Sequence, residues 1–486
     1  MKKIFFTVFI LAMAGAAFAV PYASQIRVGD ASITQGQNQT ITYYINEAGG
    51  AAVIKIIKVS DSSEVASFSG TATQGLNTVI WNGRVDNAGG ALVPIGNYRV
   101  KIIVTASKAP GWVEIASNSS LGGYATPATM IQTIWDGFSG MEIVIPADPN
   151  KDSFGYILCS TSANVAPENH GHVVFNPDLS CEDGGDGQSM WLKYGGTFVS
   201  GTDYTICWGN CVDPDDSDYI WVAGQSVFAT HGGFMVMYGK YNDLNAADAC
   251  GGFSVLDNAR DIAVVKEGGT KYAYITIGND IIYKSAITGN QLSGTPVDIV
   301  LCSTATRYGK GVDFDSAGNL YWSTRRTSTS NTLGAIYRWN AATVQVAAAG
   351  SLNEANADWD IQFPTGALNV EGVAISPAGD VYAAASGDGD GTVRGIYYLG
   401  NASTPLNKKT LGPSDRIIAY PYNLSTYAGG IQADYAGNVL FVNRSTEEIR
   451  AYGPGGDTSK AIVAPPSQNF EIQSLPLAAQ NWALYE

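Results

Sequence analysis

Four groups of residues in this sequence are of types that do chemistry. The first is acidic: Asp213, Asp215, Asp216 and Asp218 in "DPDDSD", Asp388 and Asp390 in "SGDGDGT", and a third stretch, "CEDGGDG", at 181–187. Closely spaced carboxylates beside a permissive Gly suit a hard cation, so Ca2+ is the cofactor these turns point to. None matches a full helix-flanked Ca2+ loop, and a solvated hairpin turn is the alternative. The second group is "NHGH", where His170 and His172 alternate and can face one way on a strand. With Glu168 close in sequence and His231 further along, they offer ligands for a transition metal; a pair of turn histidines is the alternative.

The third group is six cysteines, Cys159, Cys181, Cys207, Cys211, Cys250 and Cys302. An even count in an exported chain points to disulfides and to no free thiols. Cys207 and Cys211, in "CWGNC", are candidates for a small local bridge, since a redox pair would want two intervening residues rather than three. The fourth group is Arg260, Asp261, Lys310 and Glu371, charged residues that each stand at the start of an apolar, strand-like run. No Gly-x-Ser-x-Gly, phosphate loop or nucleotide fingerprint is present.

What could position these groups follows from the rest of the chain. The start, "MKKIFFTVFILAMAGAAFAVPYA", has two lysines, an apolar run and a small-residue Ala-Phe-Ala ending, the pattern of a secretory signal over residues 1–19. Without Lys2 and Lys3 the formal charge moves from −15 to −17, which repels nucleic acid and anionic lipid. No later segment is apolar over enough residues to span a bilayer. Among 486 residues, 45% are hydrophobic and 15% charged, with 56 Gly, 26 Tyr and 10 Trp, a balance that favours strands and turns over long helices.

Residues 24–106 alternate as several short strands separated by Gly, Asn and Asp turns, which predicts a β-sandwich. Within them, "NTVIWNGRVDNAGGALVPIGNYRV" resembles the Ig-like domain of the flagellar-hook capping protein, a module reused in many secreted bacterial proteins. In that reading Trp81 is an inward anchor, Asn82-Gly83 and Ala88-Gly89-Gly90 supply positive φ, and Gly96 turns the chain into the last strand. The resemblance implies a spacer or docking module and carries over no catalytic residue.

Beyond "SKAPGW" the sequence repeats. "GVDFDSAGNLYWST", "GVAISPAGDVYAAAS" and "GIQADYAGNVLFVNR" share a strand, a Gly turn and an apolar strand, and Gly318, Gly379 and Gly437 are 61 and 58 residues apart. Looser copies lie upstream in "GMEIVIPADPNKDSFGYILCST", "YTICWGNCVDPDDSDYIWVAG" and "RDIAVVKEGGTKYAYITIG". Units of this size built from about four strands predict propeller blades over 111–486. The motif resembles the NHL-like and lactonase-like β-propellers. Six blades are visible, and joining the tail "FEIQSLPLAAQNWALY" to "GWVEIAS" and "MIQTIW" predicts a seventh that closes the ring. Six blades, with the tail outside the ring, is the alternative.

The expected architecture is therefore all-β, a small Ig-like sandwich followed by a propeller. In such a ring Arg260, Asp261, Lys310 and Glu371 fall at one mouth of the central channel, where they hold a polar ligand, act as acid and base, or pair with one another. Glu371 in "NVEGVAIS" looks like the start of a lactonase-like or phytase-like inner strand, but the cognate positions for a metal site are Arg260, Lys310 and Gly429. The function expected is a secreted or cell-surface, non-catalytic binding or scaffold protein, with an extracellular protein or polysaccharide as partner and no nucleic acid. A metal-dependent propeller hydrolase or lyase is the alternative.

Overall fold

The computed structural model describes residues 21–48, 50–107, 111–117, 142–161, 171–180, 191–192, 205–226, 233–242, 249–253, 259–277, 281–301, 307–326, 334–363, 369–386, 393–405, 409–419, 428–443 and 448–474. Strands dominate, and they form two assemblies: a pair of packed sheets, and a ring of four-stranded sheets.

The paired sheets begin with Ala23–Val28, Gln39–Ile45 and Gly75–Trp81, hydrogen-bonded in the order first, second, third. In "QTITYYI" every second residue is buried, which is why the segment can pair along both edges while closing a core on one face. The second sheet holds Ser32–Thr34, Gly50–Lys58, Glu64–Gly70 and Gly96–Ser107. Trp81 is fully buried between them, stacked on Phe68 with ring centroids 6.5 Å apart, and its indole N–H donates to the Arg84 carbonyl at 2.7 Å. Gly83 takes the expected positive φ (+74°), and Gly96 (φ +153°) stands where the chain enters the strand Gly96–Ser107. At the second turn the positive φ falls on Asn87 (+54°), whose side-chain oxygen accepts the Asn82 amide, and not on Gly89-Gly90.

The second sheet contains strands from the far end of the chain. Asp457–Val463 pairs antiparallel with Lys101 to Ser107, and Phe470–Gln473 pairs with Gly96 to Tyr98 and, in parallel, with Ser32–Thr34. Phe470 packs edge-on to Trp81 at 6.0 Å. The expected seventh-blade hairpin is thus corrected: the described part of the tail belongs to the sandwich, and residues 475–486 lie outside the described residues.

The described residues contain six blades. Each is a run of four antiparallel strands, from Ile143–Val144, Thr205–Val212, Ala259–Glu267, Arg307–Phe314, Asn369–Ile375 and Ala428–Ala433 on the inside to more peripheral partners. We number them I to VI in chain order. Each inner strand touches the next, and the inner strand of blade VI touches that of blade I, so the ring is closed. Blade VI obtains its fourth strand from Val113–Ser117, which pairs with Glu448–Gly453, and Arg450 holds Glu114 at 2.7 Å across that ladder. This strand, "VEIAS", closes the ring where a seventh blade was expected.

The repeated turn has a plain chemical cause. In blade IV the Asp315 carboxylate accepts the amides of Ala317 and Asn319 and the Asn319 side-chain amide, and in blade VI Asp434 does the same with Ala436 and Asn438. Gly318 and Gly437 complete those turns at φ +82° and +84°. No helix among the described residues is long and apolar enough to cross a membrane.

Candidate functional site

Inner strands converge only at the ring axis, and there the described residues line a partly open cavity of about 170 Å3. Its walls carry Glu142 from blade I, Asn210 and Cys211 from II, Asp261 from III, Asp313 from IV and Gln432 from VI. The strands come this close because small residues stand where they cross. A Cβ on Gly430 would lie 2.6 Å from Glu142 Cα, one on Gly311 3.0 Å from Gly372 Cα, and one on Gly209 would run into the Asp261 backbone.

The channel carboxylates are engaged with backbone. Asp261 accepts the amide of Ile262 and, across to the next blade, that of Val312, both at 2.8 Å. Asp313 repeats the arrangement one blade on, accepting Phe314 N at 2.8 Å and Ile375 N at 3.1 Å. Each therefore stitches its own inner strand to the following one. Burial pushes the Asp313 carboxyl up to about 7, against the pull of those two amides. Glu142 and Asp261 are also raised well above the ordinary carboxylate range, first by burial and then by repulsion: Asp261 acts on Glu142, and Asp313 on Asp261. Burial likewise pushes the Cys211 thiol up.

Two of the four residues expected at the mouth do meet: Lys310 Nζ lies 3.1 Å from Glu371 Oε2. Both are largely shielded, Glu371 almost completely, and Glu371 Oε1 has no hydrogen-bond partner. Asp261 lies in the channel itself, whereas Arg260 is half-buried beside it on the strand. Glu142 and Asp313 were not anticipated. Asp313 had a signal, an Asp two residues before the turn Asp in "GVDFDS", inside an otherwise apolar strand; Glu142 in "GMEIVIP" had only its place before an apolar run.

The acid-rich turn of blade II is a hub of ion pairs. Asp213, fully buried, accepts the Trp221 indole N–H at 2.7 Å and Lys271 Nζ at 3.0 Å. Asp215 pairs with Lys266 and, at 3.5 Å, with Lys271; Asp216 pairs with Lys151 at 2.8 Å; Asp218 accepts the Ser153 amide at 2.8 Å. Lysines of blades I and III thus provide the positive charge at these carboxylates. Asp388, Asp390, Glu168, His170, His231, Cys181 and Cys302 lie outside the described residues, as do the side chains of His172, Cys207 and Cys250. Among the described residues no three His, Cys, Asp or Glu side chains form a metal-holding group.

The cysteine expectation needs correction. Cys159 and Cys211 are free thiols. Cys207 and Cys211 sit on one strand, Thr205–Val212, where four residues of extended chain separate their Cα atoms by roughly 12 Å. A disulfide reaches no more than about 7 Å between Cα atoms.

No family model matches the sequence, and no curated protein matches it. Solved structures that align with it include a protein of unknown function from Bacteroides thetaiotaomicron VPI-5482, 12% identical over 91% of this chain and 98% of that one, TM-score 0.39. A candidate gluconolactonase aligns at 12% identity over 70% of this chain and 92% of its own, TM-score 0.37. A glucose dehydrogenase aligns at 10% identity over 65% of this chain and 96% of its own, TM-score 0.37. Likeness this low carries no argument about activity, and the architecture rests on the chain's own sheets.

The sandwich covers one end of the ring. Tyr22, Phe154 and Tyr435 meet with ring centroids 5.3 to 6.3 Å apart, and Arg27 holds Asp152 at 3.3 Å. Phe154 and Asp152 belong to the connection between the first two strands of blade I, and Tyr435 to the corresponding turn of blade VI. Lys310 and Glu371 precede the middle of their inner strands, towards the opposite end.

Proposed function

We propose that this is an exported, non-catalytic binding protein, in which an Ig-like sandwich is fixed to one end of a propeller and leaves the other end to meet an extracellular protein or polysaccharide. The observation that supports this reading is the use of the channel's polar groups. Asp261 and Asp313 spend their oxygens on amides of adjacent inner strands, and Lys310 neutralises Glu371. A catalytic pair would instead be aimed at a space that admits substrate. Among the described residues the channel cavity, about 170 Å3, falls short of the 300 Å3 or more typical of ligand pockets.

The test uses the full mature chain. Glycan and protein arrays are expected to return saturable binding, and lactone, phosphoester and cyclic-peptide substrates are expected to survive incubation. Cleavage of any of these that disappears in Glu371→Gln, while the variant still melts cooperatively, would replace the binding reading by the propeller-enzyme one. Glu371→Gln removes a shielded ion pair with Lys310 and should also cost stability, by about 2 kcal/mol.

A further inference from the structure

The outer face of the sandwich's larger sheet puts cations where a sheet does not favour them. Lys55 and Lys101 are direct cross-strand partners on the adjacent strands Gly50–Lys58 and Gly96–Ser107. Their neighbours Ile54, Ile56, Val100 and Ile102 are buried, so both lysines stand on the outward side. Like charges in that relation destabilise a sheet. Arg99 follows on the same side, opposite Ile57 and about 7 Å along the strand from Lys101. Glu64 offsets Lys55 at 2.6 Å, and Arg99 donates to the Asn469 side chain at 2.9 Å. Glu471, opposite Asn97 on this face, accepts the Gln473 side-chain amide. Among the described residues no carboxylate pairs with Lys101.

The same strands form an open groove of about 700 Å3, lined by Ala51, Thr105, Ser107, Thr458 and Ser459. Ala51, Thr105 and Ser459 make one rung across three strands, so the groove offers hydroxyls and no bulky side chain. Thr105 is four residues, about 13 Å, from Lys101 along the strand, with Val53 and Ile103 between. Residues 21–107 and 457–474 hold seven basic and seven acidic residues, so the formal −17 falls entirely on the remainder of the chain. An anionic ligand repelled by the ring is therefore not repelled by the sandwich.

The geometry points to a second ligand site on this face, a strip that takes an anionic polysaccharide. Its sugar hydroxyls lie in the groove, and its carboxylate or sulfate groups meet Lys101, Lys55 and Arg99. Such a ligand offsets the repulsion between the two lysines, which nothing else on the face does for Lys101. A protein partner fits less well, because protein interfaces centre on aromatic anchors, and among the described residues no aromatic side chain stands on this face. The site is separate from the free end of the ring and does not depend on what that end binds.

Calorimetric titration of the full mature chain at physiological salt tests it, with polygalacturonate and dextran sulfate as probes and dextran as the neutral polymer. Both anionic polymers are expected to bind saturably, and dextran at least about tenfold more weakly. Lys101→Gln should lower affinity for the anionic polymers about tenfold while melting no lower than the parent, because it also relieves the repulsion with Lys55. Thr105→Trp, at an exposed position, fills the groove with charge unchanged and should weaken binding by a similar factor. Lys240→Gln, at an exposed lysine of blade II, should leave binding as it is. Equal binding of dextran, parent-like affinity in Lys101→Gln or Thr105→Trp, or an equal loss in Lys240→Gln would each overturn the site. Self-association of the parent that Lys101→Gln abolishes, with no polymer bound, would overturn it in favour of the acidic ring of a second copy.

Discussion

Asp313 shows how one side chain can hold a ring together and tie it to pH. Its carboxylate joins blade IV to blade V through the Ile375 amide, yet burial raises its pKa to about 7. A group raised in the folded state stabilises below its unfolded value, near 4, and that contribution fades as pH rises through 7. A rise from near 4 to about 7 corresponds to about 4 kcal/mol at most. Asp313→Asn should therefore flatten the rise in stability between pH 8 and pH 5, measured by urea midpoints; an unchanged slope would assign that rise to Glu142 and Asp261. Gly430 makes a second residue-scale case. Alanine there would force a methyl against Glu142, so Gly430→Ala should lower stability by about 2 kcal/mol or more, and a variant as stable as the parent would mean that blades VI and I can part at no cost. Cys159 and Cys211 make a third. Both are free, and burial raises both thiols, so neither should react with a thiol reagent at pH 8 in the native protein, whereas at least two should react in denaturant. Fewer than two would restore the expectation of complete pairing.

Among the elements, those written by local chemistry were legible and those chosen by distant partners were not. The turns anchored by Asp315 and Asp434 could be read directly, because an Asp, a Gly at positive φ and an Asn each do a job within five residues. The strands "VEIAS" and "FEIQ" could not, since alternation states which face is buried and says nothing of which sheet supplies the neighbour. Glu142 was invisible for a related reason: no turn residue marks it, and only closure of blade I on blade VI makes it a channel residue. The misplaced tail yields a sharp expectation. Ile462, Phe470 and Ile472 are almost fully buried in the sandwich core, at about 2 kcal/mol each. A chain ending at Gly456 should lose protection over residues 21–107 and, with the Tyr22–Phe154–Tyr435 contact gone, melt its ring at a lower temperature than the full chain. Protection of those residues as in the full chain would refute the role of the C-terminal strands.

At the scale of the molecule, the chain closes each unit with a strand from the other's side. Val113–Ser117 leaves the sandwich to finish blade VI, and after blade VI the chain returns to lay Asp457–Val463 and Phe470–Gln473 on the sandwich. Between these crossings lies the aromatic contact of Tyr22, Phe154 and Tyr435. Unfolding either unit therefore removes the shared aromatic contact and the Arg27–Asp152 pair and frees the chain at both crossings. Chains of this length usually melt in steps, domain by domain. This one should instead show a single calorimetric transition, with calorimetric and van't Hoff enthalpies in agreement. Ala116→Asp provides the perturbation, because it puts a carboxylate into the buried face where the closing strand packs on Leu440 and Ile449. It should lower the one transition as a whole rather than split off a blade, and two separated transitions in the parent protein would show that the crossed strands close their sheets without coupling them.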